Sequence, residues 1–357
     1  PGRGSYGQQE KTSETERRTL PAVRQVFTYT ASPKSQSEFL LNSKKQTESD
    51  FPKEGITVQD LLLSQGYSRR LIIDLKALPD GLTVDGYRVC TPYILTPGQV
   101  LTVTLPPEKN SPHIEPVCLP FPIVYEDEHL MILNKPAGMP IHPSQGNHDN
   151  SLANSAAWYF NQNGLPFTFR VVNRLDRDTT GLLILAKHSL SACLLSDMMK
   201  RREIRRTYLA AVQGKPEPES GVINAPISRV NGSTIERCVD FIHGEQAVTH
   251  YQVLYSNPSS NTSLVKLHLE TGRTHQIRVH MKYLGFPLLG DFLYYPDFSL
   301  IQRQSLHSWK LEFSHPITKE PLAFTAAVPD DMQCFLPEGE ARHSFINPGE
   351  APLGSDF

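Results

Sequence analysis

Cysteine is scarce and follows no pairing pattern. The five cysteines, Cys90, Cys118, Cys193, Cys238 and Cys334, are odd in number, widely spaced and form no C-x-x-C. Neither a disulfide framework nor a cysteine zinc site is expected, and a reducing compartment fits. No apolar run approaches the roughly 18 residues of a membrane span. The opening PGRGSYGQQEKTSETERR lacks the apolar core of a signal peptide, and the missing initiator methionine is what a fragment would show. A cytoplasmic protein without a membrane partner is expected. Charge of one sign is also lacking: 35 Lys and Arg against 37 Asp and Glu leave a formal net charge of −2. The chain as a whole therefore has no field that would attract nucleic acid.

What is present is ordinary in bulk and uneven in detail. With 357 residues, 39% hydrophobic and 20% charged, the chain fits a soluble globular protein of two domains, at roughly 100 to 200 residues per domain, and a monomer. Charge is concentrated locally. The segment from Arg170 to Arg206 holds Arg174, Arg177, Lys187, Lys200, Arg201, Arg202 and Arg205 besides its two ends, against Asp176, Asp178, Asp197 and Glu203. Such a stripe in a near-neutral protein can hold phosphates, which keeps a nucleic-acid partner open.

Polar or Pro- and Gly-rich ends at 1–22 and 336–357 are expected to be disordered. Val23 to Thr30 reads as a strand and Ala31 to Lys53 as a loop. From Gly55 the apolar positions Val58, Leu61, Leu62 and then Leu71, Ile72, Leu75 recur at helical spacing around Gly66. A hairpin turning at Asp85-Gly86 and a strand at Val100 to Leu105 follow. This pattern over 23–106 resembles an S-four RNA-binding module and also suits a generic small α+β module. In the first case Arg69 and Arg70 would hold RNA. The proline-rich stretch 107–122 is expected to be a linker. Residues 123–335 then show strand-like runs at Leu130 to Asn134, Phe167 to Val172, Leu182 to Ala186, Thr207 to Val212, Val248 to Tyr255 and Ser263 to Leu269. With few helical segments, this predicts an α+β catalytic domain on a mixed, largely antiparallel sheet.

The densest candidate for chemistry is Asn173-Arg174-Leu175-Asp176-Arg177-Asp178-Thr179-Thr180-Gly181, charged residues between two apolar runs. A solvated turn held by Asp178 and Thr179 would explain it as well as a site would. The block resembles the hallmark loop of RluA-like RNA pseudouridine synthases, usually HRLDxxTSG, with Asn173 in place of His and Thr180 in place of Ser. Leu133 to Pro143, Arg206-Thr207-Tyr208-Leu209-Ala210 and Leu269 to His280, with Leu284-Gly285 and Leu289-Gly290-Asp291 after it, resemble further blocks of that family in the same order.

The resemblance implies a pseudouridine synthase fold and isomerisation of uridines in structured ribosomal or transfer RNA, with no cofactor. It implies Asp176 as the catalytic carboxylate, Tyr208 as an aromatic stacking on the target base, and Arg278 paired with Asp176. By residue type alone Tyr208 could equally be core and Arg278 a surface arginine. Arg174 would probe the gap left in the RNA, while Arg177, Lys135, Arg205 and Arg206 join the RNA-binding set; Lys135 also reads as part of a turn that shapes the site. His275 and His280 stand five apart, which suits no helical metal pair, so no metal site is expected. A non-catalytic RNA-binding or ribosome-associated factor is the alternative, and it leaves the ordered motifs unexplained. A hydrolase built on Asp176 and Asp178 lacks a reason for two loop carboxylates to converge.

Overall fold

The computed structural model describes residues 23–29 and 55–348. The expected tail at 1–22, the loop at 31–53 and the last nine residues lie outside them. The first part is a four-stranded antiparallel sheet, β1 (Arg24–Thr28), β3 (Leu82–Val84), β4 (Tyr87–Arg88) and β6 (Val100–Thr104), in the order β1-β6-β3-β4. A two-residue ladder, β2 (Ile56–Thr57) with β5 (Ile94–Leu95), leads into helix α1 (Val58–Ser64), and α2 (Arg69–Ala77) follows. Thr57 and Ser68 cap the two helices by accepting from the backbone of Asp60 and Leu71, which satisfies donors that a helix start leaves open. At the β3–β4 turn Asp85 and Gly86 both take positive φ, the geometry of a tight two-residue hairpin.

The second part is one nine-stranded sheet. Its strands are β7 (Ile123–Glu126), β8 (Leu130–Lys135), β9 (Thr180–Ala186), β10 (Arg205–Gln213), β11 (Ser220–Asn224), β14 (Val248–Asn257), β15 (Thr262–Leu269), β16 (Leu306–Ser314) and β17 (Pro321–Thr325). The order is β11-β14-β15-β10-β16-β9-β8-β7, with β17 beside β16. Only β16 with β9 is parallel; every other pair is antiparallel. A short separate hairpin, β12 (Ile227–Arg229) with β13 (Arg237–Val239), stands off the sheet. Helices α3 (Leu152–Gln162), α4 (Ser189–Lys200) and α5 (Gln276–Tyr283) complete the α+β layout. Strand β9 is buried at all seven positions, so its apolar run TGLLILA has no polar face to show. Residues of β8, β9, β10 and β15 share the largest core with α3 and α5.

Three expectations need correction. Phe167 to Val172 forms no strand: Val172 donates to the carbonyl of Ile184 and Arg170 accepts from Ala186. Just beyond, the Asn173 side chain takes the place of the next backbone rung, accepting from the Ile184 N–H at 2.9 Å. The proline-rich stretch does not hang free. Buried Asn154 reaches the Glu115 carbonyl, Val117 donates to the Asn154 carbonyl, and Leu119 and Phe121 pack on the main core. At the other end, the part of 336–357 that is described is folded. Leu336 is buried, helix α6 (Glu340–Ile346) follows, and Phe345 lies against Trp309 with ring centroids 5.3 Å apart. Apolar Phe345 and Ile346 supply the contact that the polar composition of the tail hid.

Candidate functional site

Asp176 sits on the loop that feeds β9, and two buried cations hold the backbone of that loop. Lys135, at the end of β8, is completely buried and donates from Nζ to the carbonyls of Pro136 (2.8 Å), Met139 (2.9 Å) and Arg177 (2.7 Å). Burial pushes its amine down to about 7, while Asp178 and Asp176 nearby favour the charged form. Three carbonyl acceptors match the three donors of an ammonium group. Lys135 is therefore a clamp on the loop and cannot reach RNA, which corrects its place in the RNA-binding set. Arg303 repeats the device: it forks onto Asp331 and donates to the Asp178 carbonyl at 3.1 Å.

The carboxylate of Asp176 is partly exposed and meets Arg278, which is fully buried on α5, at 2.9 Å. Arg278 also forks onto the buried Asp291, Nε to Oδ2 at 2.6 Å and Nη2 to Oδ1 at 2.7 Å. Its guanidinium lies over the rings of Tyr294 (4.9 Å) and Phe292 (5.4 Å), on whose faces a cation is attracted. Burial opposes this charge, yet the hydrogen bonds and charges of Asp291 and Asp176 outweigh it and hold the arginine above its usual range. The two residues predicted to pair are thus brought together across 102 positions of sequence. Asp291 closes the Leu289-Gly290-Asp291 block, and its fork is what orients Arg278.

His275 closes the same pocket. It takes the left-handed conformation at the start of α5, φ 57°, unusual for a residue with a side chain and a mark of functional sites. Its Nδ1 is 2.9 Å from the Tyr294 hydroxyl, which accepts from the Arg237 N–H at 3.0 Å. The other ring nitrogen, Nε2, lies 3.9 Å from the Asp176 carboxylate. Burial lowers the pKa of His275 although Asp176 pulls the other way, which favours the neutral ring. His280 is a core residue, spanning Thr249 and the Ala225 carbonyl. Among the described residues no cluster of His, Cys, Asp or Glu is placed to hold a metal.

Tyr208 lies on β10 in the main core, 4% exposed. Burial raises its pKa, while Arg206 and Ser308 beside its hydroxyl pull it down and the Asp176 charge adds to the rise. Arg206 is buried as well, its Nε without a partner and Nη2 near the Thr271 carbonyl. It stands behind Tyr208 rather than among surface cations, a second correction to the RNA-binding set. Arg177 is exposed but forks onto its neighbour Asp178, which also removes Asp178 as a free second carboxylate. Arg205, Arg69 and Arg174 are exposed, and exposed Arg70 pairs with Asp74 one turn on.

The basic stripe is largely answered in place. Arg170 pairs with Glu108, Lys187 with Glu126, Arg201 with Asp197 and Glu203, and Arg202 with Glu270. A sum over sequence neighbours missed Glu108, Glu126 and Glu270, which come from distant segments. Elsewhere Arg174, two residues before Asp176, joins Arg229, Arg237 and Arg273 in lining one cleft, into which Glu245 brings a carboxylate that pairs with Arg273.

A family model described as RNA pseudouridylate synthase matches residues 129–283, a span that contains Asp176, Tyr208 and Arg278. An uncharacterized RNA pseudouridine synthase of Bacillus subtilis is 40% identical over 277 residues, covering 78% of this chain and 97% of that protein. Ribosomal large subunit pseudouridine synthase D of Zymomonas mobilis is 40% identical over 249 residues, 65% of this chain and 76% of its own. Matched through almost the whole length of the first relative, the chain belongs to the RluA-like family of RNA pseudouridine synthases and isomerises uridine in RNA.

Proposed function

We propose that Asp176 is the catalytic carboxylate and that the substrate is ribosomal RNA, presented as a uridine flipped out of its stack. The observation that carries this reading is a carboxylate that is partly open to solvent and fixed from behind by a fully buried arginine. The reaction breaks the bond between ribose C1′ and uracil N1, turns the base, and joins C1′ to C5. The C5 hydrogen leaves to water and N1 takes one up, so no redox partner or group donor is needed. An anion beside the ribose and base serves this sequence whether it bonds to the sugar or removes a proton. Arg278 holds that anion in place, and Tyr208 lies under the base, a stacking contact of ~1–3 kcal/mol. Because Tyr208 is covered, the base gains it only as the pocket opens around the flipped nucleotide.

Ribosomal RNA is preferred as the target because a relative at 40% identity is named for the large ribosomal subunit. The first sheet with α1 and α2 would act as an added RNA-binding module presenting Arg69 and Arg70, and Arg174 and Arg205 would contact the strand near the target. A cytoplasmic monomer is the simplest state for such an enzyme. Release of tritium from RNA carrying tritiated uridine C5 tests the assignment. The wild type should release it, whereas Asp176→Asn should bind the same RNA with near-normal affinity and release none. Substantial release by the pure variant would sink the role given to Asp176.

A further inference from the structure

Hairpin β12–β13 places Arg229 directly opposite Arg237. Like charges facing each other across an antiparallel pair are destabilising, and a two-stranded ribbon has little stability to spare. Among the described residues neither guanidinium has a carboxylate partner; Arg237 donates only to the carbonyls of Ile235 and Glu236 in its own turn. Both line a cleft of about 290 Å³ together with Arg174 and Arg273. A single carboxylate enters it. Glu245, held by a backbone bridge to Ile227, forms an ion pair with Arg273, whose Nε is tethered to the Gln246 carbonyl at 3.1 Å. Among the described residues Arg174, Arg229 and Arg237 have no carboxylate partner, so the cleft favours an anion, and the forked donors of arginine match phosphate.

The cleft is wired to the site. The backbone N–H of Arg237 donates to Tyr294, Tyr294 contacts His275, and His275 faces Asp176. Arg174, in the same cleft, stands two residues before Asp176. An anion in this cleft would thus be linked through Tyr294 and His275 to a nucleotide at Asp176.

We propose that this cleft seats a backbone phosphate of the RNA beside the target uridine, and that the Glu245 carboxylate stands in for it in the free enzyme and is displaced on binding. The inference rests on the reading of an RNA substrate at Asp176. Displacing an exposed carboxylate has a modest cost, so Glu245→Gln should tighten binding by about 1.5- to 5-fold, the range for exposed ion pairs. It should also steepen the salt dependence, because Arg273 then exchanges counterions for phosphate.

The test is binding of full-length protein to poly(U), followed by fluorescence anisotropy across a salt series. Glu245→Gln should bind more tightly with a log–log slope steeper by ~0.7, and Arg229→Gln with Arg237→Gln should flatten it by ~0.7 for each arginine. An oligouridine with uncharged methylphosphonate links should not distinguish the variants. Relief of the like-charge pair should leave the melting temperature of Arg229→Gln equal or higher. Unchanged slopes in the double arginine variant, or weaker binding by Glu245→Gln, would overturn the seat. Tritium release by the same preparations separates the two readings: normal release with unchanged slopes refutes the seat alone, and altered slopes without any wild-type release refute the catalytic assignment alone.

Discussion

Arg278 joins two carboxylates of unequal exposure, and the difference decides what its loss would do. Asp291 is fully buried and receives both arms of the fork, with further donors only from the backbone of Leu293 and Tyr294. Asp176 keeps contact with water. Replacing Arg278 by Met leaves Asp291 as an uncompensated buried anion, which typically costs ~3–5 kcal/mol when one partner of a buried pair is removed. The urea midpoint should fall accordingly. Adding Asp291→Asn should recover a large part of that loss; adding Asp176→Asn should recover little, because that carboxylate can turn to solvent. Equal recovery by both second substitutions would show that the fork to Asp291 is not what keeps Arg278 in place. From sequence alone the arginine and Asp176 were matched through motif resemblance, but Asp291 was one more acidic residue after a Leu-Gly pair. Only the fold shows that it is the stronger partner.

At the scale of elements, the site depends on β9 lying flush against β16. Gly181 has φ 107°, and a Cβ there would be 2.2 Å from the Ser308 carbonyl oxygen and 2.7 Å from its nitrogen. Neither atom can yield, since both belong to backbone at the only parallel junction of the sheet. Ser308 also pairs with Tyr208 across β10 and β16. Gly181→Ala should therefore destabilise by more than the ~1 kcal/mol scale of ordinary glycine effects and displace Tyr208 with its partner strand. Chemical denaturation and tritium release measured together check this. Loss of turnover in a protein as stable as the wild type would place the role of Gly181 elsewhere. The glycine at the end of the motif is legible in sequence as a family feature; its reason is the approach of a strand 127 residues later.

Across the whole molecule, buried neutral histidines set the acid limit of stability. His307 faces Thr180 of the same loop at 2.9 Å, and burial pushes its pKa from 6.5 to about 4. His188 caps α4 by accepting from Ser191, and burial pushes it to about 3. In the unfolded chain both take up a proton near 6.5, whereas the folded chain holds them neutral to lower pH. The unfolded state thus binds more protons over that interval, and stability is lost as pH falls from about 6.5 through 4 for His307 and through 3 for His188. At 1.36 kcal/mol per unit these displacements are worth about 3 kcal/mol for His307 and about 5 kcal/mol for His188. Denaturation midpoints should stay flat just above pH 6.5 with respect to these groups and fall below it, and His307→Gln should flatten the fall. A midpoint indifferent to pH between 6.5 and 4 would refute the assignment. His188 matters at this scale because α4 carries Leu190 and Leu194, which pack with Tyr67 and Leu71 into the core of the first sheet. Its cap thus supports the joint between the two sheets.

Much of this was readable along the chain. Helical spacing located α1 and α2, an Asp-Gly pair marked the first hairpin, and alternating or continuous apolar runs marked the strands of the large sheet, because these signals lie within a few residues of each other. The motif order identified the loop of Asp176 and the helix of Arg278 for the same reason. Burial and charge balance were not readable, since they depend on groups brought from far away. Lys135 and Arg206 are cations by composition and buried fixtures by position. Arg170, Lys187 and Arg202 of the basic stripe are paired by glutamates from other segments, while Arg229, Arg237 and Arg273 become one cleft although the outermost two stand 44 positions apart. Local periodicity is a property of neighbours in sequence; the environment of a charge is a property of neighbours in space, and that only the tertiary structure decided.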